Sequence, residues 1–236
     1  MNKGIVIALL VTLAECTAAR AEPRAAMRQG VRAFEAGKLS DAAAHFEQAA
    51  AEARPAGLDP SVAHFNRGVA LYRDQLWDGA ADAFLEARLT PDLTRQALAL
   101  YNAGSCRIRQ VQSALEIGEG KTIEKHLSEA IDFLGQSLLV RPDQPDVRHN
   151  LEVALAIRDA LTAFVFELGT VVQQADRLVG QHQFPEAHRL LSGAQERLGP
   201  ALKLPKPEVK SFEQLLERTG QIVQILEAPS PTAPVQ

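Results

Sequence analysis

The residues of this chain whose types and spacing could support chemistry are few. Gly118–Thr122 reads GEGKT and ends like a phosphate-binding loop, but Leu115 stands where such a loop needs its first glycine. The six histidines lack the His-Glu-x-x-His spacing that places two zinc ligands on one helix face. Cys106 has no local nucleophile context and is typical of a small core residue. We therefore predict that the protein is not an enzyme and holds no metal or cofactor.

One polar residue recurs in a constant setting. Asn66, Asn102 and Asn150 occur in HFNRGVALY, LYNAGSCRI and RHNLEVALA. A carboxamide offers both a hydrogen-bond donor and an acceptor. The recurrence indicates either a repeated binding group or a repeated way of building a helix, so the elements that hold these residues have to be identified first.

The composition favours helices and excludes some partners. Hydrophobic residues make up 46% of the chain and are mainly Ala and Leu, which are not branched at Cβ and therefore lose little rotamer freedom in a helix. We therefore predict an all-α fold. A formal net charge of −4 without a cluster of Lys and Arg is unsuited to nucleic acid, where phosphate neutralisation supplies most of the affinity, or to a membrane surface.

Residues 1–21 have the pattern of a cleaved signal peptide. Lys3 precedes an apolar stretch, Gly4–Ala14, and Ala19-Arg20-Ala21 supplies small residues at the two positions that a signal peptidase reads. The apolar stretch is too short for a stable membrane anchor. We therefore predict export, to the periplasm in a bacterium, a mature chain that starts near Glu22, and no membrane span after cleavage.

Two alternatives concern the same segment. An uncleaved anchor is the first. The second is a lipoprotein, because LAEC places Cys16 where a lipidated cysteine would stand, although Glu15 occupies a position that requires a small residue. After cleavage at Ala21, Cys106 is the remaining thiol, so no intramolecular disulfide can form.

The chain contains an internal repeat of 38 residues. On each second helix, large and small residues alternate on one face, so that a partner helix approaches closely where Ala stands. The pairs are Gly30 and Gly68, Phe34 and Tyr72, Leu39 and Trp77, Ala42 and Ala80, Phe46 and Phe84, and Ala49 and Ala87. The second half of the pattern recurs at Leu127, Ala130, Leu134 and Ser137, and at Phe184, Ala187, Leu191 and Ala194. One hairpin cannot bury its apolar face alone, so the hairpins are predicted to stack as a solenoid.

These residues resemble the tetratricopeptide repeat (TPR) family. Its motif positions for Gly, Ala, an aromatic residue, Ala and Pro are matched by Gly68, Ala80, Phe84, Ala87 and Pro91, with the Pro one place early. The resemblance is strong over residues 23–91, extends to about 155 and is weak beyond. YNAG and PDQPDVRHNLEVAL also look like TPR segments of bacterial Bat-type (aerotolerance) proteins, which implies an envelope scaffold.

The resemblance implies a TPR-like α-solenoid with a long helix and a C-terminal helical cap. The domains would be a repeat domain, residues 22–165, of about three repeats plus a capping helix, then a helical hairpin and capping helix, 166–227, and a disordered tail, 228–236. The third repeat has 14 extra residues, and its glycine-containing segment 116–126 predicts a loop after a lengthened first helix. A long helix is expected from about 146 to the 160s or to about 181, and the last from 207 to 227.

The resemblance also implies a concave groove lined by the first helix of each repeat. An Asn at the position of Asn66, Asn102 and Asn150 often bonds the backbone of a bound peptide in this family. The predicted partner-binding residues are Val31, Phe34, Phe65, Asn66, Val69, Tyr72, Arg73, Tyr101, Asn102, Ser105, Ile108 and Arg109. The leading hypothesis is an adaptor that binds a protein partner there; the alternative is a structural subunit whose own C-terminal helices fill the groove and whose outer face mediates assembly.

Overall fold

A computed structural model describes residues 21–117, 122–199, 201–204 and 206–227. Within these ranges the chain forms α-helices, one short 3-10 turn and loops, and no strand, so the predicted all-α class is confirmed. The predicted signal peptide up to residue 20, the GEGK stretch and the predicted C-terminal tail from 228 lie outside the described residues. None of the described helices is both long and apolar enough to span a bilayer.

The helices follow one another with short connections. A 3-10 turn, Ala201–Lys203, separates the last two helices. In chain order the helices are α1 (Ala21–Glu35), α2 (Leu39–Ala53), α3 (Ser61–Arg73), α4 (Trp77–Ala87), α5 (Leu93–Ile117), α6 (Ile123–Val140), α7 (Pro145–Gly180), α8 (Phe184–Leu198) and α9 (Pro207–Glu227).

Three helical hairpins share one turn geometry. The residue two places before the second helix has a positive φ in each: 74° at Gly37, 61° at Gln75 and 59° at His182. The following residue donates its backbone N–H to a carbonyl five residues earlier. These bonds are Lys38 to Ala33 (2.9 Å), Leu76 to Leu71 (3.0 Å) and Gln183 to Leu178 (2.9 Å). The α1–α2, α3–α4 and α7–α8 hairpins are thus built alike, although only the first uses glycine for the left-handed residue.

Close helix packing in the hairpins depends on glycine. In three first helices, a Cβ atom on the packing glycine would lie 2.6–2.8 Å from the large side chain facing it, so any larger residue would force that side chain or a helix to shift. The pairs are Gly30 with Phe46, Gly68 with Phe84, and Gly104 with Leu134. The predicted packing role of these three glycines is confirmed, and it places α1 on α2, α3 on α4 and α5 on α6.

The chain divides into two compact units. Of the described residues, the first unit contains those up to Ser113 and Thr122–Ala156, and the second contains Ala114–Ile117 and those from Ile157 onward. The core of the first unit is rich in alanine and is filled by Phe46 and Phe84, which are 1% and 0% exposed.

The second unit has a core of its own. Helix α8 packs against α9. Ala187, Leu191 and Ala194 are fully buried, as the repeat pattern predicted for the inward face of α8. Phe212 of α9 is buried as well, and His188 Nδ1 lies 3.3 Å from Thr219 Oγ1.

Two long helices match their predicted extents. Helix α5 has 25 residues against 13 for α3, which confirms the lengthened first helix of the third repeat. Helix α7 continues through Gly169 to Gly180, so the longer of the two predicted extents is the one observed. The loop between α5 and α6 falls mostly outside the described residues.

Candidate partner-binding surface

The first helices of the successive hairpins lie side by side. Side-chain hydrogen bonds join each of them to the next along the first unit. The bonds run from Asn66 Nδ2 to Met27 Sδ (3.9 Å), from Arg109 Nε to the Tyr72 hydroxyl (3.2 Å) and from Asn150 Nδ2 to Ser105 Oγ (3.3 Å). We call the surface along α1, α3, α5 and residues 145–156 of α7 the first-helix face.

An arginine–aromatic contact repeats along this face. The Arg73 guanidinium lies over the Phe34 ring, 4.6 Å from its centroid. Arg109 occupies the equivalent place on α5 and donates to Tyr72, the equivalent aromatic residue on α3. Each arginine stands five residues after the packing glycine of its helix, and each aromatic residue four after that of the preceding first helix. The same arginine–aromatic contact thus recurs between successive first helices, at a spacing of 38 residues for the aromatic side chains and 36 for the arginines.

The predicted groove residues differ sharply in exposure. The large apolar residues are interior: Phe34, Phe65, Val69, Tyr101 and Ile108 are 3–8% exposed. The polar residues Asn66, Asn102 and Ser105 are also buried. Val31, Tyr72 and Arg109 are partly exposed, and Arg73 is exposed. The accessible part of the first-helix face is consequently a narrow strip with arginines on it, supported by a buried apolar layer.

A small cleft opens in this strip where α3, α5 and α7 meet. Its volume is about 50 Å³. The lining residues are Tyr72, Ser105, Ile108, Arg109, Gln112, Asn150 and Val153. The first four belong to the predicted site, whereas Gln112 and Val153 were missed. Gln112 could have been found by spacing, because a residue three places after Arg109 shares its helix face.

The three repeated asparagines have unlike surroundings. Asn66 and Asn150 each bond to the first helix before their own. Asn102 is 1% exposed, and among the described residues neither of its amide atoms has a hydrogen-bond partner. The residue of α3 in register with Met27 is Phe65, whose side chain has no acceptor. At two of the three positions, the recurring asparagine therefore joins its own first helix to the preceding one.

Tyr101, which interacts with the cleft residues Ser105 and Asn150, is a neutral phenol. Burial raises its pKa, and the Asp146 carboxylate adds to this effect, while hydrogen bonding with Ser105 and Asn150 opposes it. At a given pH, the phenolate form of Tyr101 is therefore less populated than that of an exposed tyrosine. Tyr101 contributes a hydroxyl and an aromatic ring to the support of the cleft.

A buried arginine lies on another side of α5. Arg107 is 8% exposed and forms ion pairs with Asp78 of α4 at 2.8 Å and with Glu129 of α6 at 2.6 Å. It also donates to Gln110 at 2.8 Å. Hydrogen bonds from Gln110 and Arg107 lower the pKa of Asp78. This network, which the sequence analysis missed, ties three helices together.

Cys106 and the possible metal ligands are the groups considered for chemistry that lie in the described ranges. Cys106 is fully buried, and burial raises the pKa of its thiol far above the ordinary value, so the nucleophilic thiolate is disfavoured. In the described ranges no three His, Cys, Asp or Glu residues are placed to hold a metal ion. Comparison with known protein families, curated proteins and solved structures finds nothing that matches this chain. Its function is therefore argued from its own geometry.

His64 predicts a loss of stability in mild acid. It is 7% exposed, and burial lowers its pKa below 6.5, with Arg67 and Arg54 acting in the same direction and Glu47 and Glu86 against it. Below pH 6.5 the unfolded chain binds a proton that the folded chain resists, so the free energy of unfolding should fall as the pH falls. Urea unfolding at pH 7.5, 6.5 and 5.5 measures this.

The variant His64→Gln isolates the contribution of this residue. Burial lowers the pKa of His126 too, and that residue contributes in both proteins. The variant should lose less stability than the wild type between pH 7.5 and 5.5. Parallel curves for the two proteins would show that His64 does not resist protonation.

Proposed function

We propose that the protein is a non-enzymatic interaction scaffold of TPR-like hairpins that binds a segment of a protein partner along the first-helix face. The repeated turn, the glycine packing and the 38-residue register support a solenoid of this kind. The signal-peptide pattern and the short resemblance to Bat-type proteins support a place in the bacterial envelope, with a periplasmic protein preferred over a lipoprotein.

The observation that carries this proposal is the unbroken succession of first helices. A side-chain hydrogen bond joins each to the next, and an arginine–aromatic contact occurs in the same register between α1 and α3 and between α3 and α5. Arginine and tyrosine are the residue types most enriched among those that dominate binding energy. A face that is long, regular and rigidly supported suits an extended peptide or a helix.

A second candidate is a structural subunit that associates through its outer face. The burial of Phe34, Phe65 and Ile108 favours it, as does the presence of Asn150 and Val153 from α7 in the cleft. In this case the chain itself occupies much of the groove. An apolar residue elsewhere, such as Leu139 of α6 at 84% exposure, would then contact the partner.

Site-directed variants distinguish the two candidates. The wild type, Arg73→Ala/Arg109→Ala, Leu139→Asp and the control Arg158→Ala would each be used to capture partners from the native envelope fraction by chemical cross-linking. We expect the double variant to lose the principal cross-linked partner and Arg158→Ala to retain it. Retention by the double variant together with loss by Leu139→Asp would instead support the outer face.

Export has a separate test. We expect N-terminal sequencing of the protein purified from its native host to give a start near Glu22. The mass of the same sample would reveal a lipid on Cys16 if the lipoprotein alternative holds. An intact Met1 would show that the leader is not cleaved.

A further inference from the structure

We infer that the cleft beside Arg109 receives a carboxylate, the side chain of an Asp or Glu in the bound partner segment. This inference rests on the proposed function and names the chemistry of the partner. The inference is drawn from the hydrogen bonds of the Arg109 guanidinium and from the groups that surround it in the first unit.

Two hydrogen bonds hold the Arg109 guanidinium in place and leave other N–H groups of it available for a ligand. Its Nε donates to the Tyr72 hydroxyl and its Nη1 to Gln112 Oε1, both at 3.2 Å. A guanidinium has five N–H groups, so Nη2 and the second hydrogen of Nη1 remain for a ligand. Two neighbouring N–H groups of this kind match the two oxygens of a carboxylate. Fixing the group beforehand lowers the entropy lost on binding.

Arg109 also lacks the carboxylate that comparable arginines have. In the same unit Arg67 pairs with Glu47 at 2.9 Å, and Arg107 pairs with Glu129. Among the described residues no carboxylate oxygen lies within ion-pair distance of Arg109. On α7, Asp146 acts electrostatically on Tyr101 but forms no ion pair with Arg109. A partly exposed cation in a cleft without a counter-charge is complementary to an acid from outside the chain.

The cleft fits the end of one acidic side chain. About 50 Å³ is room for a group of a few atoms, since a cavity of about 10–15 Å³ is enough for one water molecule. Ile108 and Val153 line it with aliphatic surface suited to the methylene groups of Asp or Glu, and Gln112 and Asn150 contribute amides. Arg73 repeats the arrangement on α3, stacked on Phe34, and forms no described ion pair. A segment with more than one acid would therefore match the strip.

A peptide selection tests the inference. The purified protein would be presented with a displayed library of random 12-residue peptides, and the retained sequences compared with the unselected library. We expect enrichment of Asp or Glu. For a selected peptide, Arg109→Gln in the protein and Glu→Gln in the peptide should each weaken binding at least tenfold, and the two changes combined should weaken it little further.

The control arginine is Arg67, which already has a carboxylate partner. Arg67→Gln should leave binding unchanged. The peptide change is made against the wild-type protein, so it decides the matter even if Arg109→Gln lowers the melting temperature. Retained peptides without acid enrichment, or with binding indifferent to both changes, would overturn the inference and leave the proposed function standing. Retention of no peptide at all would overturn both.

Discussion

Replacing Phe84 by alanine is expected to lower the free energy of unfolding by about 3–5 kcal/mol. The side chain is fully buried, packs on Gly68 and makes an edge-to-face contact with the Phe65 ring at 5.3 Å between centroids. Because α3 and α4 approach closely there, the hairpin cannot collapse into the space without moving a helix. Urea unfolding followed by circular dichroism measures the loss.

The partnership with Gly68 gives this prediction its control. Gly68→Ala should destabilise the wild type by about 1–3 kcal/mol, because the new Cβ would meet the Phe84 ring. In a Phe84→Ala background the same change should cost little, since the ring is gone. Gly135→Ala, with nothing within 4 Å of its Cβ, should stabilise the protein by about 0.5–1 kcal/mol. Equal effects of Gly68→Ala in both backgrounds would contradict the packing argument.

Replacing Arg107 by leucine is expected to lower the free energy of unfolding by about 2–3 kcal/mol. The change removes the donor to Gln110 and leaves Glu129 with only the long contact to the exposed Lys125, at 3.9 Å; Gln110 and Glu129 are both largely covered. Asp78 is exposed and can turn to water, so the loss should fall short of that for a fully buried ion pair. Chemical unfolding at pH 7 checks the value.

The control for Arg107 lies on the surface. Arg158→Leu removes an arginine that is 54% exposed and should change stability by less than about 0.5 kcal/mol. Adding Glu129→Leu to Arg107→Leu should recover part of the loss, because no unpaired charge then remains. A double variant less stable than the sum of the two single changes would show that charge pairing is not what Arg107 provides.

The sequence was sufficient for the hairpins because their packing depends on local spacing. Gly68 and Phe84 face each other whenever two helices of this length are joined by this turn, so their recurrence predicted the contact. The predicted starts of the last long helices, about 146 and 207, likewise agree with the observed starts of α7 and α9 at Pro145 and Pro207. The turn itself was harder to recognise, since the positive φ at Gln75 occurs without glycine.

The sequence predicted where the candidate site residues stand along the helices, but it did not predict which of their side chains are buried. The motif register placed Arg73 and Arg109 beside the aromatic residues correctly. It could not tell that Phe65 and Tyr101 would be interior, because an apolar helix face looks the same whether it lines a groove or a core. Arg107 was missed for another reason: its acids lie on two other helices, far from it in sequence.

The insertion in the third repeat has a consequence for folding order. Gly30 and Phe46 are 16 residues apart, as are Gly68 and Phe84, whereas Gly104 and Leu134 are 30 apart. Closing a chain segment of nearly twice the length costs about 0.6 kcal/mol more in loop entropy. The first two hairpins should therefore close before the third, so α5, which carries Arg109, should pair with α6 after α1 has paired with α2 and α3 with α4.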